Sequence, residues 1–149
     1  MLNFKKWLEN DYQMAHRPPE SDFGAPLHDL TKIYPKDVYD KPHYYATDNF
    51  ELDSAQKALS YKNKPDKQIW IFRAVPKGIK TINPGDWVTI NRKYAIQHSK
   101  HPFDKKQDMI VIAAKVPASS IHTDGNSFAE WGYNGLVPIK AIVSYRGKR

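Results

Sequence analysis

The alternation of hydrophobic and polar positions is clearest in the second part of the chain, where it predicts a β-rich core. Apolar side chains recur there at every second position or in short unbroken runs, which is typical of β-strands. The predicted strands cover residues 68–75, 87–90, 109–116 and 137–145. Residues 68–75 are largely apolar on both faces, so we expect this strand to lie centrally with both faces covered.

The first part of the chain has a helical and irregular pattern instead. Apolar side chains three and four positions apart predict a short amphipathic helix over residues 3–15, which Arg17-Pro18-Pro19 ends. Asp53 or Ser54 is the expected N-cap of a second helix that continues to about Tyr61.

A third helix is predicted over residues 93–99, directly after the strand at 87–90, with Asn91 as its N-cap. Residues 83–86 and 123–126 contain Pro, Gly, Asn and Asp in combinations that predict tight turns. Residues 101–108 are polar and are predicted to form a loop.

Length and composition indicate one domain. The 149 residues are 40% hydrophobic and 13% aromatic, which is enough to build a core. We expect an α+β fold in which a helical and loop-rich part, residues 1–67, packs on a β-rich core, residues 68–149. The core is expected to be a split mixed or antiparallel sheet.

The absence of cysteine excludes disulfides, thiolate zinc sites and cysteine nucleophiles. The N-terminal residues lack the apolar core of a signal peptide, and no apolar run reaches the length of a membrane span. The sequence therefore predicts a cytoplasmic protein without a membrane partner.

The chain is basic, with 23 Lys and Arg residues against 16 Asp and Glu residues and a formal net charge of +7. Such a charge favours acidic partners, namely nucleic acid, a nucleotide or an acidic protein. The basic residues are scattered and form no arginine-rich stripe, so a purely solubilising charge is the alternative interpretation.

One charged residue interrupts the apolar strand at residues 68–75. Arg73 shares a strand face with Ile71 and Val75, and a buried guanidinium needs a partner because it cannot be neutralised. The partner is either a carboxylate of the fold, such as Asp86 or Glu130, or a bound phosphate. The sequence alone leaves both possibilities open.

The sequence lacks the motifs of several common kinds of active or binding site. The chain has no glycine-rich phosphate loop, no histidine pair with helical zinc spacing and no glycine-flanked serine, so no metal site is expected. Arg73, Thr89 and Glu130 remain, on segments that a sheet can bring together. An arginine can bind a diphosphate, a hydroxyl can bind a ribose, and a carboxylate can stabilise an oxocarbenium-like centre.

The order of these residues resembles that of ADP-ribosyltransferases of the arginine–serine–glutamate class. Phe72-Arg73-Ala74-Val75 is similar to their first motif, and Trp87-Val88-Thr89 with Tyr94-Ala95 is similar to their second. Residues 124–130 resemble the loop that ends in their catalytic glutamate. The resemblance implies their fold, NAD as cofactor and Glu130 as the catalytic residue. It also implies an NAD site formed by Arg73, Thr89, Trp87, Tyr94 and His98.

A second resemblance involves domains of large phage and mobile-element proteins. It rests on residues 24–30, 83–89 and 130–133, and it implies a phage or mobile-element origin with a host protein or nucleic acid as target.

The chain departs from the transferase pattern at two places. Thr89 lacks the flanking serines of the second motif, and Phe128 stands two positions before Glu130, where arginine-modifying members have a glutamate. Two alternatives therefore stay open. One is an inactive transferase-like module that binds its target through a basic surface. The other is a small RNase that uses His28 or His98.

Overall fold

Most of the predicted strands are present, but they are divided among three antiparallel sheets. The computed structural model describes residues 24–100 and 108–147. The two α-helices in this part are α1 (Asn49–Leu59) and α2 (Arg92–Ser99). Its strands are β1 (Ala25–Pro26), β2 (Gln68–Pro76), β3 (Thr81–Ile82), β4 (Trp87–Val88), β5 (Met109–Pro117), β6 (Ile121–Thr123), β7 (Trp131–Tyr133), β8 (Ile139–Lys140) and β9 (Ile142–Arg146). Short 3-10 turns occupy Leu30–Lys32, Lys36–Tyr39, Pro42–Tyr44 and Ala118–Ser120.

The longest sheet has the order β2-β5-β9. Strands β2 and β5 pair antiparallel along their whole length, from Gln68 opposite Pro117 to Pro76 opposite Met109. The second sheet has the order β1-β6-β7-β4, and β3 pairs with β8 in the third. The arrangement is a small single-domain α+β protein, which confirms the expected class, and its described strand pairs are all antiparallel.

One bridge joins the two larger sheets. Phe72 of β2 and Thr89, directly after β4, exchange two backbone hydrogen bonds of 2.8 Å. This pair ties β2 to β4 on the side that β5 does not occupy, so β2 lies between two neighbours as its apolar faces predict. Thr89 belongs to this bridge rather than to a strand running through Ile90.

The main core lies on one face of both larger sheets. It contains Ile69, Ile71, Val75, Val88, Ile90, Ile110, Ile112, Phe128, Trp131 and Tyr133, together with Ala55 and Ala58 of α1. The opposite face of β2 packs through Phe72 against Ala95 of α2. Both faces of β2 are therefore covered, one by the main core and one by a helix.

Helix α1 begins earlier than the sequence pattern predicts. Its N-cap is Asp48, whose carboxylate accepts a hydrogen bond of 2.8 Å from the Glu51 backbone N–H. The predicted caps Asp53 and Ser54 were wrong, since both lie inside the helix. Ser54 instead donates its hydroxyl to the Phe50 carbonyl, a bond that a serine within a helix can make.

Helix α2 has the predicted cap, because the Asn91 side chain accepts a hydrogen bond from the Tyr94 N–H at 3.2 Å. The predicted strand at residues 137–145 is split at Ala141. Residues before Ala141 pair with β3, and residues after it pair with β5. The Ala141 N–H bonds to the Lys80 carbonyl at 2.8 Å, so the chain changes partners at this residue.

The helix predicted over residues 3–15, with its proline end, lies outside the described residues, as do residues 101–107 of the predicted loop. Among residues 24–100 and 108–147, neither helix has the length and apolar character needed to cross a bilayer.

Candidate active site

Strand register places Thr89 opposite Glu130. Strands β4 and β7 pair antiparallel with Trp87 opposite Gly132 and Val88 opposite Trp131. One further step along the two chains sets Thr89 against Glu130, which directly precedes β7. Phe72 lies on the other side of Thr89. Three segments that are distant in sequence therefore meet in one row.

The alternation of side chains then decides which residues share a face. Val88, Ile90 and Trp131 belong to the main core. Because neighbouring residues of a strand point to opposite faces, Thr89 and Glu130 point away from that core. Trp87 alternates with Val88 and points to the same side as Thr89. This second face is the one on which α2 packs.

Tyr94 of α2 contacts the carboxyl group of Glu130. Its hydroxyl donates a hydrogen bond of 2.7 Å to Glu130 Oε2. The centre of the Tyr94 ring lies 4.2 Å from that of the His98 ring, one helical turn further along α2, and 5.6 Å from that of the Phe50 ring in an edge-to-face contact. Four of the predicted site residues besides Glu130, namely Trp87, Thr89, Tyr94 and His98, thus lie on one side of the sheet.

Glu130 is only 6% exposed. Burial raises the pKa of this carboxyl group to about 7, the Tyr94 hydrogen bond counteracts the rise, and the charge of Glu51 adds to it. A carboxyl group with a pKa near 7 is present in both protonation states at neutral pH. Such a group is suited to exchange a proton or to carry a negative charge towards a reacting centre.

The surroundings of Tyr94 determine the protonation state of its hydroxyl. Burial and the neighbouring Glu130 carboxylate raise the pKa of the Tyr94 hydroxyl, so it remains protonated and acts as a hydrogen-bond donor. The Thr89 hydroxyl is held in a different way. It accepts a hydrogen bond of 3.1 Å from the Asn91 N–H at the start of α2.

Arg73 points to the opposite face. It pairs with Ile112 of β5. Because Ile112 belongs to the main core, the Arg73 side chain lies on the face of that core. Its Nη1 donates to the Trp87 carbonyl at 2.6 Å, and its Nε lies 3.9 Å from Asp86 Oδ2. The carboxylate partner that the sequence left open is therefore present. The structure brings the other predicted residues together and sets Arg73 on the far side of the sheet.

Two residues near this face were not recognised from the sequence. The carboxylate of Glu51 in α1 accepts hydrogen bonds from the loop that precedes Glu130. The ammonium group of Lys57, two turns further along α1, donates to the Ile90 carbonyl at 2.8 Å and lies 5.8 Å from the Phe72 ring centre. Asp48 and Glu51 have the spacing of a capping box, the one local signal that could have drawn attention to Glu51.

The histidines of the nuclease hypothesis belong to different surroundings. The His98 ring lies against the Tyr94 ring at an angle of 40°. His28 follows β1. Burial, and then the nearby His28 and Lys32, lower the pKa of His122 on the neighbouring strand β6. The Nδ1 atom of His122 lies 2.8 Å from the Asn134 amide nitrogen. His28 is therefore grouped with His122, for which the sequence carried no signal.

Comparison of the chain with protein-family models, with curated proteins and with solved structures finds no match. The part of the chain described above contains no group of three His, Asp or Glu side chains arranged to bind a metal ion.

Proposed function

We propose that the chain is an NAD-dependent mono-ADP-ribosyltransferase, encoded by a phage or mobile element, that modifies a host macromolecule with Glu130 as its catalytic residue. The observation that carries this proposal is the position of Glu130. It lies one residue beyond the paired part of β4 and β7, where the register continues to Thr89, and it bonds to Tyr94 of the covering helix. The hydroxyl and the late glutamate are the part of the transferase pattern that this face retains.

The residues on this face suit the nicotinamide riboside part of NAD. Ionised Glu130 can stabilise an oxocarbenium-like ribose as the bond to nicotinamide breaks. The aromatic side chains of Trp87 and Tyr94 can pack against a planar ring. Bound NAD would supply the ADP-ribosyl group and the leaving nicotinamide.

The diphosphate requires a different residue from the one that the motif implies. The guanidinium of Arg73 bonds to the Trp87 carbonyl on the opposite face, so we assign Arg73 a structural role. Lys57 is a cation on the appropriate side, since its ammonium group lies near Phe72 and the end of β4. We assign it the phosphate contact.

The decisive measurement is nicotinamide release from NAD by the purified protein. Glu130→Gln keeps the shape of the side chain and removes its charge, so release should fall by about 10²–10³-fold, as for other groups that stabilise transition-state charge. Asp53→Asn removes an exposed acid from α1 and should leave release unchanged. A wild-type protein that neither binds NAD nor releases nicotinamide would overturn the proposal.

A second candidate is an inactive transferase-like module that binds its target through a basic surface. The structural engagement of Arg73 and the net charge of +7 favour it. It predicts a stoichiometric complex with a host protein or nucleic acid that weakens steeply with salt and is insensitive to Glu130→Gln. Pull-down from host lysate distinguishes the two candidates, because a transferase leaves a target whose mass has increased by one ADP-ribosyl group.

A further inference from the structure

The loop that carries Glu130 is fastened to α1 by one buried carboxylate. Glu51 Oε1 accepts a hydrogen bond of 3.1 Å from the Phe128 N–H, and Oε2 accepts one of 3.2 Å from the Ala129 N–H. The Ser127 hydroxyl donates to the same Oε2 atom. Three consecutive residues that lead into Glu130 therefore bond to one side chain.

These hydrogen bonds are buried, which makes each of them more important for stability. Glu51 is only 4% exposed, and Ser127, Phe128 and Ala129 are buried as well. Hydrogen bonds to a carboxylate in such surroundings are about twice as strong as neutral ones, and an N–H left without its partner there would be costly. The loop consequently has one favoured position relative to α1.

Helix α1 is itself fixed at this end. Asp48 caps it through the Glu51 N–H, and the Phe50 ring makes an edge-to-face contact with the Tyr94 ring. Glu51 thus stands on a rigid element that also contacts the residue bonded to Glu130.

Glu51 also acts on Glu130 through its charge. Among the described residues, the groups that affect the ionisation of Glu130 are the Tyr94 hydroxyl of α2 and the carboxylates of Glu51 in α1 and Asp124 in the loop after β6. The two acids repel the ionised form of Glu130, while the Tyr94 hydroxyl stabilises it. Removing the charge of Glu51 would therefore ease ionisation of Glu130.

We propose that Glu51 is a positioning residue for Glu130, which holds residues 127–129 in place and acts on Glu130 through its negative charge. The proposal rests on the proposed function for its catalytic meaning. Glu51 would never touch the substrate, and its effect would pass through the loop and through the electric field at Glu130.

The test compares three variants by measurements that need no enzymatic activity. Glu51→Gln removes the charge, Glu51→Asp keeps the charge but shortens the side chain by one methylene, and Asp53→Asn removes an exposed charge from the same helix. Hydrogen exchange of the Phe128 and Ala129 amides reports how strongly Glu51 binds the loop. Carboxyl ¹³C titration by NMR reports the pKa of Glu130.

We expect exchange of both amides to be about fivefold faster in Glu51→Gln and Glu51→Asp, because a net hydrogen bond of about 1 kcal/mol is weakened. The pKa of Glu130 should fall in Glu51→Gln, while burial keeps it above the ordinary value. It should fall less in Glu51→Asp, which retains the charge. A purely structural role would not separate these two variants in the titration.

Slow amide exchange and an unchanged Glu130 titration in Glu51→Gln, matching Asp53→Asn, would overturn the inference. If Glu51→Gln does not fold, Ser127→Ala removes one donor to Glu51 and should still accelerate exchange of the Phe128 amide, which bonds to Glu51 and not to Ser127. Failure of the proposed function has a different signature. In that case the wild-type protein releases no nicotinamide, while amide exchange and the Glu130 titration still respond to Glu51.

Discussion

The two faces of the sheet around β4 each bury an ionisable residue, but the groups around these two residues differ in charge. On the face of the main core, Arg73 bonds to the Trp87 carbonyl and lies beside the Asp86 carboxylate. On the face of α2, Glu130 receives the Tyr94 hydroxyl and lies near a second acid, Glu51. The fold satisfies the charge of Arg73 and opposes the charge of Glu130.

This difference separates a structural ion pair from a candidate reactive group. A charge that is matched by a carbonyl and a carboxylate stabilises the fold and has little reason to change. A carboxyl group whose pKa is raised to about 7 is held at the point where it can gain or lose a proton. Of the two most conspicuous residues in the sequence, Glu130 is therefore the better candidate for chemistry.

The largest expected effect tests the structural side of this comparison. Arg73→Met should lower the free energy of unfolding by about 3 kcal/mol, because it leaves the Trp87 carbonyl and Asp86 without the guanidinium. Urea denaturation measures the change, and Arg146→Met at an exposed position is the matched control. A variant that keeps full stability but loses NAD binding would return Arg73 to the role that the sequence motif implies.

The next effect is the pH dependence of stability. The pKa of Glu130 rises from the ordinary 4.5 to about 7 on folding, so folding favours the protonated form. Its stabilising contribution is complete below about pH 4.5 and disappears as the pH rises through about 7, a change of up to about 3 kcal/mol.

Urea denaturation of the wild type and of Glu130→Gln between about pH 4.5 and about pH 8.5 measures this contribution. Gln resembles the protonated carboxyl group and cannot ionise, so the variant should lose less stability than the wild type as the pH rises. Parallel pH profiles for the two proteins would show that Glu130 titrates as an ordinary exposed acid.

Much of the local structure could be predicted from the sequence. Alternation indicated β2 and β5, and Asn91 indicated the start of α2, because strand period and helix capping involve neighbouring residues. The order of Thr89 and Glu130 along the chain was sufficient to propose that they meet.

The sequence could not predict whether Arg73 lies on the same face as Thr89, because this depends on the register between β2 and the residues after β4. Phe72 pairs with Thr89, so Arg73 and Thr89 point to opposite faces. A shift of one residue would have placed Arg73 opposite Thr89 on the same face, and alternation within β2 cannot distinguish the two registers. The bond between Glu51 and Ser127 joins residues 76 positions apart, so no local pattern announces it.

A smaller effect is expected from the hydroxyl that faces Glu130. Tyr94→Phe removes the donor to Oε2, so the ionised form of Glu130 loses stabilisation and its pKa should rise above about 7. Carboxyl ¹³C titration measures the shift. Tyr61→Phe, which removes a hydroxyl bonded to the Gln68 carbonyl, is the matched control and should leave the Glu130 titration unchanged. A fall in the pKa of Glu130 would mean that Tyr94 does not support the ionised form.

The smallest effect concerns Thr89. Thr89→Val keeps the shape of the side chain but removes the acceptor for the Asn91 N–H, so stability should fall by about 1 kcal/mol. Thr89→Ser retains the hydroxyl and should recover most of this loss. If the hydroxyl also binds ribose, nicotinamide release should fall in Thr89→Val by more than the unfolded fraction explains and return in Thr89→Ser. Equal release by both variants would confine Thr89 to holding the Asn91 N–H at the start of α2, and Glu130 with Tyr94 would then form the candidate site without it.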